Sequence, residues 1–513
     1  MSDHLLLSLP VLVPLATLAL CAVFWKHTGV QRVISLIGSV ALLVSATALL
    51  MRVFGGEILV TQFGSWRAPF GISFVADLFA AAMVMITGIM AVAVSVYGLT
   101  AESKLREQAF YHPLYHGLLM GVAGAFLTGD IFNLYVWFEV MLISSFGLLV
   151  VGGKREQLDA GVKYVVLNLL VTTLFLMTIG FLYGLTGTLN MADLARVLPT
   201  VENQGLVTTL AVMFLLAFGS KAALFPLYFW LPASYHSASA PVIAIFAALL
   251  TKVGVYAIIR TFTLLFWPSA AYTGPIIGVV AALTMITGVL GAASHFDVRR
   301  ILSFHIISQI GYMLIGLFVG TPLAIAAAIL YVLHHIIVKA NLFLIAGVLK
   351  LATGTYDLKK MGGLQRTAPL LAFLFAIPAL SLAGMPPLSG FWAKFMVIDS
   401  SLDAGHGLMA FIALAVGVLT LYSMVKIWNE AFWKSPPDQA KADQAMAHWR
   451  SQPAARWAML LPIAALGAIT LTIGLMTEPF VAFSIRAAEQ LLNPAAYIDA
   501  VLGPVAQTMS GGR

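Results

Sequence analysis

Charged residues and cysteine are scarce in this sequence. Only 10% of its 513 residues are Asp, Glu, Lys or Arg, whereas soluble domains carry about 25%. Because 61% of the residues are hydrophobic and the mean hydropathy is +0.96, the composition excludes a soluble globular domain. It predicts an all-α, polytopic membrane protein.

The single cysteine, Cys21, excludes an intrachain disulfide, a Cys-ligated iron–sulfur cluster and a CxxCH haem attachment. Adjacent His334 and His335 do not have the spacing of a metal or haem site. We therefore expect no cofactor, no metal and no enzymatic chemistry. The net charge of +7 does not indicate nucleic-acid binding, since excess Lys and Arg mark cytoplasmic loops in membrane proteins.

Apolar runs long enough to cross a bilayer, which takes about 20 residues, recur along the whole chain. We interpret the first as a membrane helix rather than a cleaved signal, since it has no basic n-region. About fourteen spans are predicted, with cores at 4–25, 31–51, 73–99, 113–129, 131–151, 161–186, 206–231, 240–265, 274–294, 301–320, 322–349, 368–398, 407–433 and 455–477.

Three extramembrane features complete this prediction. Short alternating runs with glycine pairs in Val53–Ile72 indicate a small β-hairpin. The longest polar loop is Ser435–Ser451. Lys and Arg concentrate in the loops after odd-numbered spans, and Arg260 is among the few that we assign to the opposite side. The positive-inside rule then places both termini outside the cell.

Several charged residues fall inside predicted spans, where a charge costs at least about 2.5–3.5 kcal/mol. Lys163 and Lys426 lie near span ends and can reach the interface with their long side chains. The central charges are Glu139, Lys221, Lys252, Lys339 and Lys394. A static ion pair cannot account for this set, because several lysines face a single glutamate. We expect a proton or ion path.

Prolines support that expectation. Pro226 follows Lys221, and Pro386 and Pro387 precede Lys394. Proline frees a backbone carbonyl, and broken backbone at membrane depth is tolerated only inside protein or beside a wet cavity. A simple packing kink is the alternative.

A polar stripe is predicted within YVLHHIIVKANLF, residues 331–343. Tyr331, His335 and Lys339 recur every four residues and share one helix face over about 12 Å. Histidine can exchange a proton near neutral pH. His334 points about 100° away, where it either packs or contributes to the path.

Five motifs together resemble a known family. They are GDIFNLYVWFEVMLISSF (129–146), GSKAALFPLYFWLP (219–232), ALLTKVGVYA (248–257), HHIIVKANLFL (334–344) and GMPPLSGFWAKF (384–395). They resemble the antiporter-like subunits shared by respiratory complex I and the Mrp multisubunit cation/proton antiporters. The first and third motifs and the tail EQLLNPAAYIDAVLG are more similar to Mrp. Because the A-type subunits carry a long C-terminal extension, the D-type subunits are the better match.

This resemblance implies a fold with two inverted five-helix repeats and broken helices. We expect three N-terminal helices with the hairpin in residues 1–112, a first repeat in 113–265 and a second in 266–434. Residues 435–513 would hold a cytoplasmic loop, the last helix and a tail.

The resemblance also implies roles for the central residues. Glu139 would pair with Lys221, followed by Lys252, then His335 and Lys339, with Lys394 at the exit. Tyr331, His334, His236 and Asp130 are accessory candidates. Tyr331 stands where some complex I relatives have histidine, and a tyrosine rarely titrates near pH 7.

The function that this implies is proton translocation within a multisubunit Na+, K+ or Li+/H+ antiporter of a bacterial plasma membrane. Its partners would be the A, B, C, E, F and G types of Mrp subunit. The alternatives are a proton-pumping subunit of a redox-driven complex, either complex I-like or a membrane-bound hydrogenase, and a structural scaffold.

Overall fold

A computed structural model describes residues 3–503 of the chain. The described residues are mostly helical, and the strands among them form one two-stranded antiparallel sheet. This follows from the composition, because a helix satisfies all its backbone hydrogen bonds internally where no water is present.

The α-helices in chain order are α1 (Asp3–Val23), α2 (Thr28–Val53), α3 (Leu78–Ala101), α4 (Lys104–Gln108), α5 (Tyr111–Leu127), α6 (Ile131–Val150), α7 (Arg155–Thr186), α8 (Met191–Val197), α9 (Gln204–Ala222), α10 (Trp230–Ser234), α11 (Ala240–Ile245), α12 (Thr251–Leu264), α13 (Ala270–Ser294), α14 (Val298–Val319), α15 (Pro322–Thr353), α16 (Leu364–Thr367), α17 (Pro369–Ala383), α18 (Ser389–Asp403), α19 (Gly407–Trp428), α20 (Gln439–Arg450), α21 (Pro453–Leu475), α22 (Thr477–Leu491) and α23 (Pro494–Leu502). A π-helical segment, Phe246–Leu250, joins α11 to α12, and a second, Asn429–Trp433, follows α19.

The predicted all-α membrane fold is confirmed. Among the described residues, 12 helical segments are long and apolar enough to cross a membrane. The other two predicted spans coincide with shorter helices, α5 and α17. The count of fourteen is therefore compatible with the structure. The long runs 206–231 and 368–398 are each interrupted, since α9 ends at Ala222 and α17 at Ala383.

The predicted hairpin is also present. Strands β1 (Leu59–Gln62) and β2 (Ser73–Ala76) pair antiparallel, with Leu59 opposite Ala76 and Gln62 opposite Ser73. The polar loop 435–451 differs from a plain loop, because most of it forms α20. Asp438 accepts a hydrogen bond from the Lys441 amide and so caps the start of this helix.

Corresponding features recur in two parts of the chain. Helices α7 and α15 are both 32 residues long. The residue before α6, Asp130, forms an isolated antiparallel bridge with Asn190, as Asp297 before α14 does with Asp357. Both α9 and α17 end in a residue with left-handed backbone, Ala223 and Gly384, followed by an irregular segment. These parallels are compatible with two five-helix repeats, α5–α12 and α13–α19.

Burial separates the helices into an outer and an inner group. The most apolar windows of α1, α2, α7 and α19 are only 39% buried, which suits helices that face lipid. The corresponding window of Ala240–Leu264 is 100% buried, and those of α15 and α14 are 89% and 83% buried. The polar residues of these inner helices consequently lie inside the protein.

A buried ion pair joins the N-terminal helices to the interior. Arg260 on α12 contacts Asp77, the N-cap of α3, at 2.5 and 2.8 Å, and also lies 3.1 Å from the Tyr256 hydroxyl. Arg260, which we counted on the external side, thus lies within the predicted span 240–265. It lies on the inner face of a buried helix, where only a paired charge is tolerated.

Candidate functional site

The first interrupted helix holds Lys221 in its last turn. The Lys221 Nζ donates to Asn168 Oδ1 on α7 at 3.1 Å and lies 5.9 Å from the centre of the Phe138 ring. A small cavity of about 20 Å³ adjoins it, lined also by Tyr164, Trp230 and Gly254. This is room for about one water molecule.

Glu139 lies on α6, next to Phe138. Its side chain is half-buried, and its Oε1 is buried without a hydrogen-bond partner among the described residues. The ion pairs found within 4.0 Å in the described part of the chain do not include Glu139 with Lys221. The structure therefore holds Lys221 on an amide, and the pairing with Glu139 stays a prediction.

Lys252 is fully buried on α12, just after the π-helical segment. Its Nζ donates to the Ala247 carbonyl, within that segment, at 2.5 Å. The wide turn of a π-helix commonly marks a functional site. Here it supplies a neutral acceptor for a cation that has no charged partner within 4.0 Å in the described residues.

The polar stripe on α15 faces α14. Tyr331, His335 and Lys339 are all fully buried. The Tyr331 hydroxyl donates to Gln309 Oε1 at 2.5 Å, and Lys339 Nζ donates to the Leu302 carbonyl at 3.1 Å. Between these contacts, neither ring nitrogen of His335 has a hydrogen-bond partner among the described residues.

His334 lies on a different face of α15, as the spacing predicts. Its Nδ1 is 2.7 Å from the Ser389 hydroxyl at the start of α18. Ser389 in turn is 2.9 Å from the Ser381 hydroxyl near the end of α17. His334 therefore contacts the second interrupted helix, away from α14.

Lys394 lies on α18, after the second interruption. Its Nζ donates to the carbonyls of Leu382 and Ala383, the last residues of α17, at 3.0 and 3.1 Å. It also lies 5.0 Å from the centre of the Tyr312 ring. The free carbonyls at a helix C-terminus carry partial negative charge, so they stabilise this buried cation.

The two accessory candidates outside the spans have backbone contacts. Asp130 Oδ1 accepts from the Asn133 amide at 2.7 Å and caps α6. His236 lies in the turn Tyr235–Ser237, and its Nδ1 is 3.0 Å from the Pro232 carbonyl. Burial, with a smaller effect of the nearby Arg299 and Arg300, lowers the pKa of His236 below its usual value.

A comparison with known families decides the classification. The model of the NADH:quinone oxidoreductase/Mrp antiporter transmembrane family matches residues 128–420, which is more than half of the chain. The chain belongs to this family.

Relatives within the NADH:quinone oxidoreductase/Mrp antiporter family match almost the full chain. The D-type subunit of the Na+/H+ antiporter from Alkalihalophilus pseudofirmus is 48% identical over 97% of this chain and 99% of its own length. The D-type Na+/H+ antiporter subunit from Bacillus subtilis is 42% identical over 96% and 98%.

Solved structures give the same result. A chain of the Mrp complex from Dietzia sp. DQ12-45-1b superimposes with a TM-score of 0.89 at 34% identity, covering 98% of this chain and 99% of that one. A chain of an archaeal membrane-bound sulfane sulfur reductase, a respiratory complex, has the same fold, with a TM-score of 0.86 at 24% identity and the same coverage.

In this family member, sequence reasoning missed one polar surface of the site. On α14, His305, Ser308 and Gln309 are buried and share one helix face, the one that receives Tyr331. The ring nitrogens of His305 and the Ser308 hydroxyl have no partner among the described residues. The run FHIISQ (304–309) contains a usable signal, since its polar residues stand at positions i, i+3 and i+4 within an apolar span and so share one helix face.

The two predicted interface lysines differ from each other. Lys163 is exposed and pairs with Asp159 at 2.6 Å. Lys426 is partly buried and donates to the carbonyls of Ala293 and His295, both at 2.8 Å, at the C-terminal end of α13. Lys426 therefore caps a helix end, and its position at the interface stays a prediction.

Proposed function

We propose that this chain is the proton-translocating subunit of a multisubunit Na+/H+ antiporter. It would work with the A, B, C, E, F and G types of Mrp subunit in a bacterial plasma membrane and would exchange H+ for Na+, K+ or Li+. The names of its relatives, which are D-type subunits of Na+/H+ antiporters, support this, as does the likeness to a chain of the Mrp complex.

The observation that carries the proposal is the environment of four lysines. Lys221, Lys252, Lys339 and Lys394 lie on α9, α12, α15 and α18, and each donates to a neutral oxygen. In the part of the chain that the structure describes, none of the four forms an ion pair within 4.0 Å. A purely structural ion-pair role is therefore disfavoured, whereas neutral acceptors leave each lysine free to gain or lose a proton.

The residues would act in sequence. Lys221 holds a proton more firmly when it lies beside the carboxylate of Glu139 and releases it more readily when it moves away. Lys252 would receive it, followed by the His335 and Lys339 stripe, and Lys394 would be the exit. Tyr331 orients the stripe by its bond to Gln309.

Orientation is part of the proposal. The concentration of Lys and Arg in loops after odd-numbered spans supports a cytoplasmic location for these loops, with both termini on the external side. The proposed order of domains, with repeats in 113–265 and 266–434, is supported by the matched 32-residue helices and matched bridges.

The test is cation-driven H+ exchange by the whole complex in everted membrane vesicles, with Na+, K+ and Li+ compared. Wild-type complex should exchange at least one of them in the absence of any electron donor. Lys221→Ala and Lys252→Ala should be inactive at normal assembly. Exchange that needs an electron donor would instead establish the redox-driven alternative, and active lysine variants would overturn the relay.

A further inference from the structure

Asn168 is the side chain that holds Lys221. It lies on α7 and is buried, and its Oδ1 accepts from the lysine Nζ at 3.1 Å. Glu139, the candidate counter-charge, follows Phe138 on α6, and the Lys221 Nζ lies 5.9 Å from the centre of the Phe138 ring. The lysine is thus held by an amide, while the Glu139 carboxylate lies outside salt-bridge distance.

The amide of Asn168 is fixed in its orientation. Its Nδ2 donates to the Tyr164 carbonyl one turn earlier at 2.8 Å, which directs the Oδ1 towards the lysine. Tyr164 is itself anchored to α6, because its hydroxyl lies 2.7 Å from the Ser145 hydroxyl. The acceptor is therefore oriented by its own helix, and that helix is bonded to α6 one turn earlier.

The backbone around Lys221 is equally constrained. Gly254 on α12 packs so closely that a Cβ there would lie 2.6 Å from the Ala222 nitrogen. Trp230 Nε1 donates to the Ser220 carbonyl at 2.9 Å. With the backbone fixed, the long side chain of Lys221 is the part that can move between acceptors, and the cavity of about 20 Å³ beside it gives space for movement.

The chemistry of an amide suits such a position. An amide oxygen carries no charge and accepts a hydrogen bond from an ammonium or from a neutral amine alike, whereas a carboxylate favours the ammonium. Besides Lys221, Tyr164 is the titratable group that lines this cavity among the described residues, and Glu139 and Lys252 are the chain neighbours of its lining residues Phe138 and Val253. The other titratable groups of α6, α7 and α12 do not line it: Tyr135, Arg155, Glu156, Asp159, Lys163, Tyr183, Tyr256 and Arg260. Only Glu139 would hold the lysine in its charged form.

We propose that Asn168 is a positioning residue that provides a second binding position for the Lys221 ammonium, an alternative to Glu139 at which the proton can be released. This proposal rests on the proposed function, since it assigns Lys221 to the proton path. The lysine would bind its proton beside Glu139 and pass it on from Asn168.

The test compares Asn168→Asp and Asn168→Leu with Thr172→Ala in the complete complex. Thr172 lies one turn further on the same helix, is equally buried and bonds only to its own helix at the Leu169 carbonyl. The measurement is the pH profile of Na+-driven exchange in everted vesicles, normalised to assembled complex.

Asn168→Asp should move the pH of half-maximal exchange upward by about one unit, because a second carboxylate holds the lysine proton. Asn168→Leu should move it in the same direction by less, since the lysine then remains with Glu139, and Thr172→Ala should match the wild type.

Wild-type pH profiles in both Asn168 variants, with Lys221→Ala inactive, would overturn the second position while leaving the proposed function intact. Normal exchange by Lys221→Ala would instead remove the proposed function itself. If Asn168→Asp assembles poorly, the pH profile of Asn168→Leu is the test of the proposal. A lower exchange rate in that variant, without a shift in the pH of half-maximal exchange, would contradict the proposal.

Discussion

The two interrupted helices, α9 and α17, end alike, but the buried lysine beside each of them is bound differently. Helices α9 and α17 end with the same hydrogen bonds: the amide of Leu224 donates to the Gly219 carbonyl at 2.8 Å, and that of Met385 to the Leu380 carbonyl at 3.0 Å. The lysines, however, lie on opposite sides of the interruption. Lys221 precedes the first, whereas Lys394 follows the second and reaches back to it.

The difference lies in the acceptors. Lys394 bonds to two backbone carbonyls, which neither titrate nor move away. Lys221 bonds to the side-chain amide of Asn168 and lies near the Phe138 ring, and the residue after Phe138 is the carboxylate Glu139. In the proposed relay, Lys221 would therefore have two alternative partners, whereas Lys394 would keep one. The comparison supports the proposal that the switching step lies at the first interruption and a fixed terminal position at the second.

Replacing the fixed lysine should have the largest effect. Lys394→Ala removes the cation and leaves two buried carbonyls unpaired, each at a cost of about 1–3 kcal/mol. We expect exchange to fall below about one tenth of wild type, which corresponds to about 1.4 kcal/mol. Lys426→Ala is the control, because that lysine also bonds to helix-end carbonyls but lies outside the site, and we expect its rate to stay within about twofold. If the two variants lose exchange to the same extent, binding of helix-end carbonyls alone explains the importance of both lysines.

Removing the carboxylate tests the choice of partners. Glu139→Ala should strongly impair exchange without preventing assembly, because Lys221 loses its proposed counter-charge. The readout is the Na+-driven pH recovery in everted vesicles beside the quantity of complex recovered on purification. If Glu139→Ala keeps the wild-type rate and pH profile, Glu139 is not an alternative partner of Lys221, and the proposed difference between the two interruptions is wrong.

The histidine pair tests the path between the two interruptions. His335→Ala should reduce exchange more than His334→Ala, since His335 lies between the Tyr331 and Lys339 contacts with α14. His334→Ala removes the bond to Ser389 and should first reduce the amount of assembled complex. Rates are normalised to assembled complex, and a greater normalised loss for His334→Ala would argue against the stripe.

The smallest effect concerns stability outside the membrane. Because the pKa of His236 is lowered in the folded protein, its charging favours unfolding, and stability falls as the pH drops through the ordinary histidine value near about 6.5. His236→Gln should reduce the loss of thermal stability between about pH 7 and 5.5, because glutamine does not gain a charge in this range. A melting curve of the purified complex at both pH values checks this, and an unchanged pH dependence would contradict it.

Hydropathy was sufficient for most of the fold, because a bilayer imposes a length on each helix. The start of α6 at Ile131, the start of α15 at Pro322 and the hairpin all follow from local patterns. The lysines stood out for the same reason, since a charge is conspicuous within an apolar run.

Partners were harder to foresee than the lysines themselves. Asn168 lies 53 residues before Lys221, and nothing local connects the two. The spacing of His305, Ser308 and Gln309 indicates a polar helix face, but none of the three carries a formal charge. A search for charged residues within apolar spans therefore does not find them. The ion pair of Arg260 was equally hard to foresee, because its partner, Asp77, lies 183 residues away at the start of α3.

The π-helical segment before Lys252 has a mechanical consequence. The acceptor of this lysine, the Ala247 carbonyl, belongs to the same continuous helical segment as Lys252. The Lys252 ammonium and the carbonyl that binds it therefore move together whenever this segment moves. Deleting one residue from Phe246–Leu250 would restore ordinary α-helical winding with little change in the direction of Lys252 relative to α11, because four α-helical residues turn through about 400° and five π-helical residues through nearly the same angle. The wide turn thus adds one residue, and with it the displaced Ala247 carbonyl that binds the lysine, without rotating the flanking helices against each other.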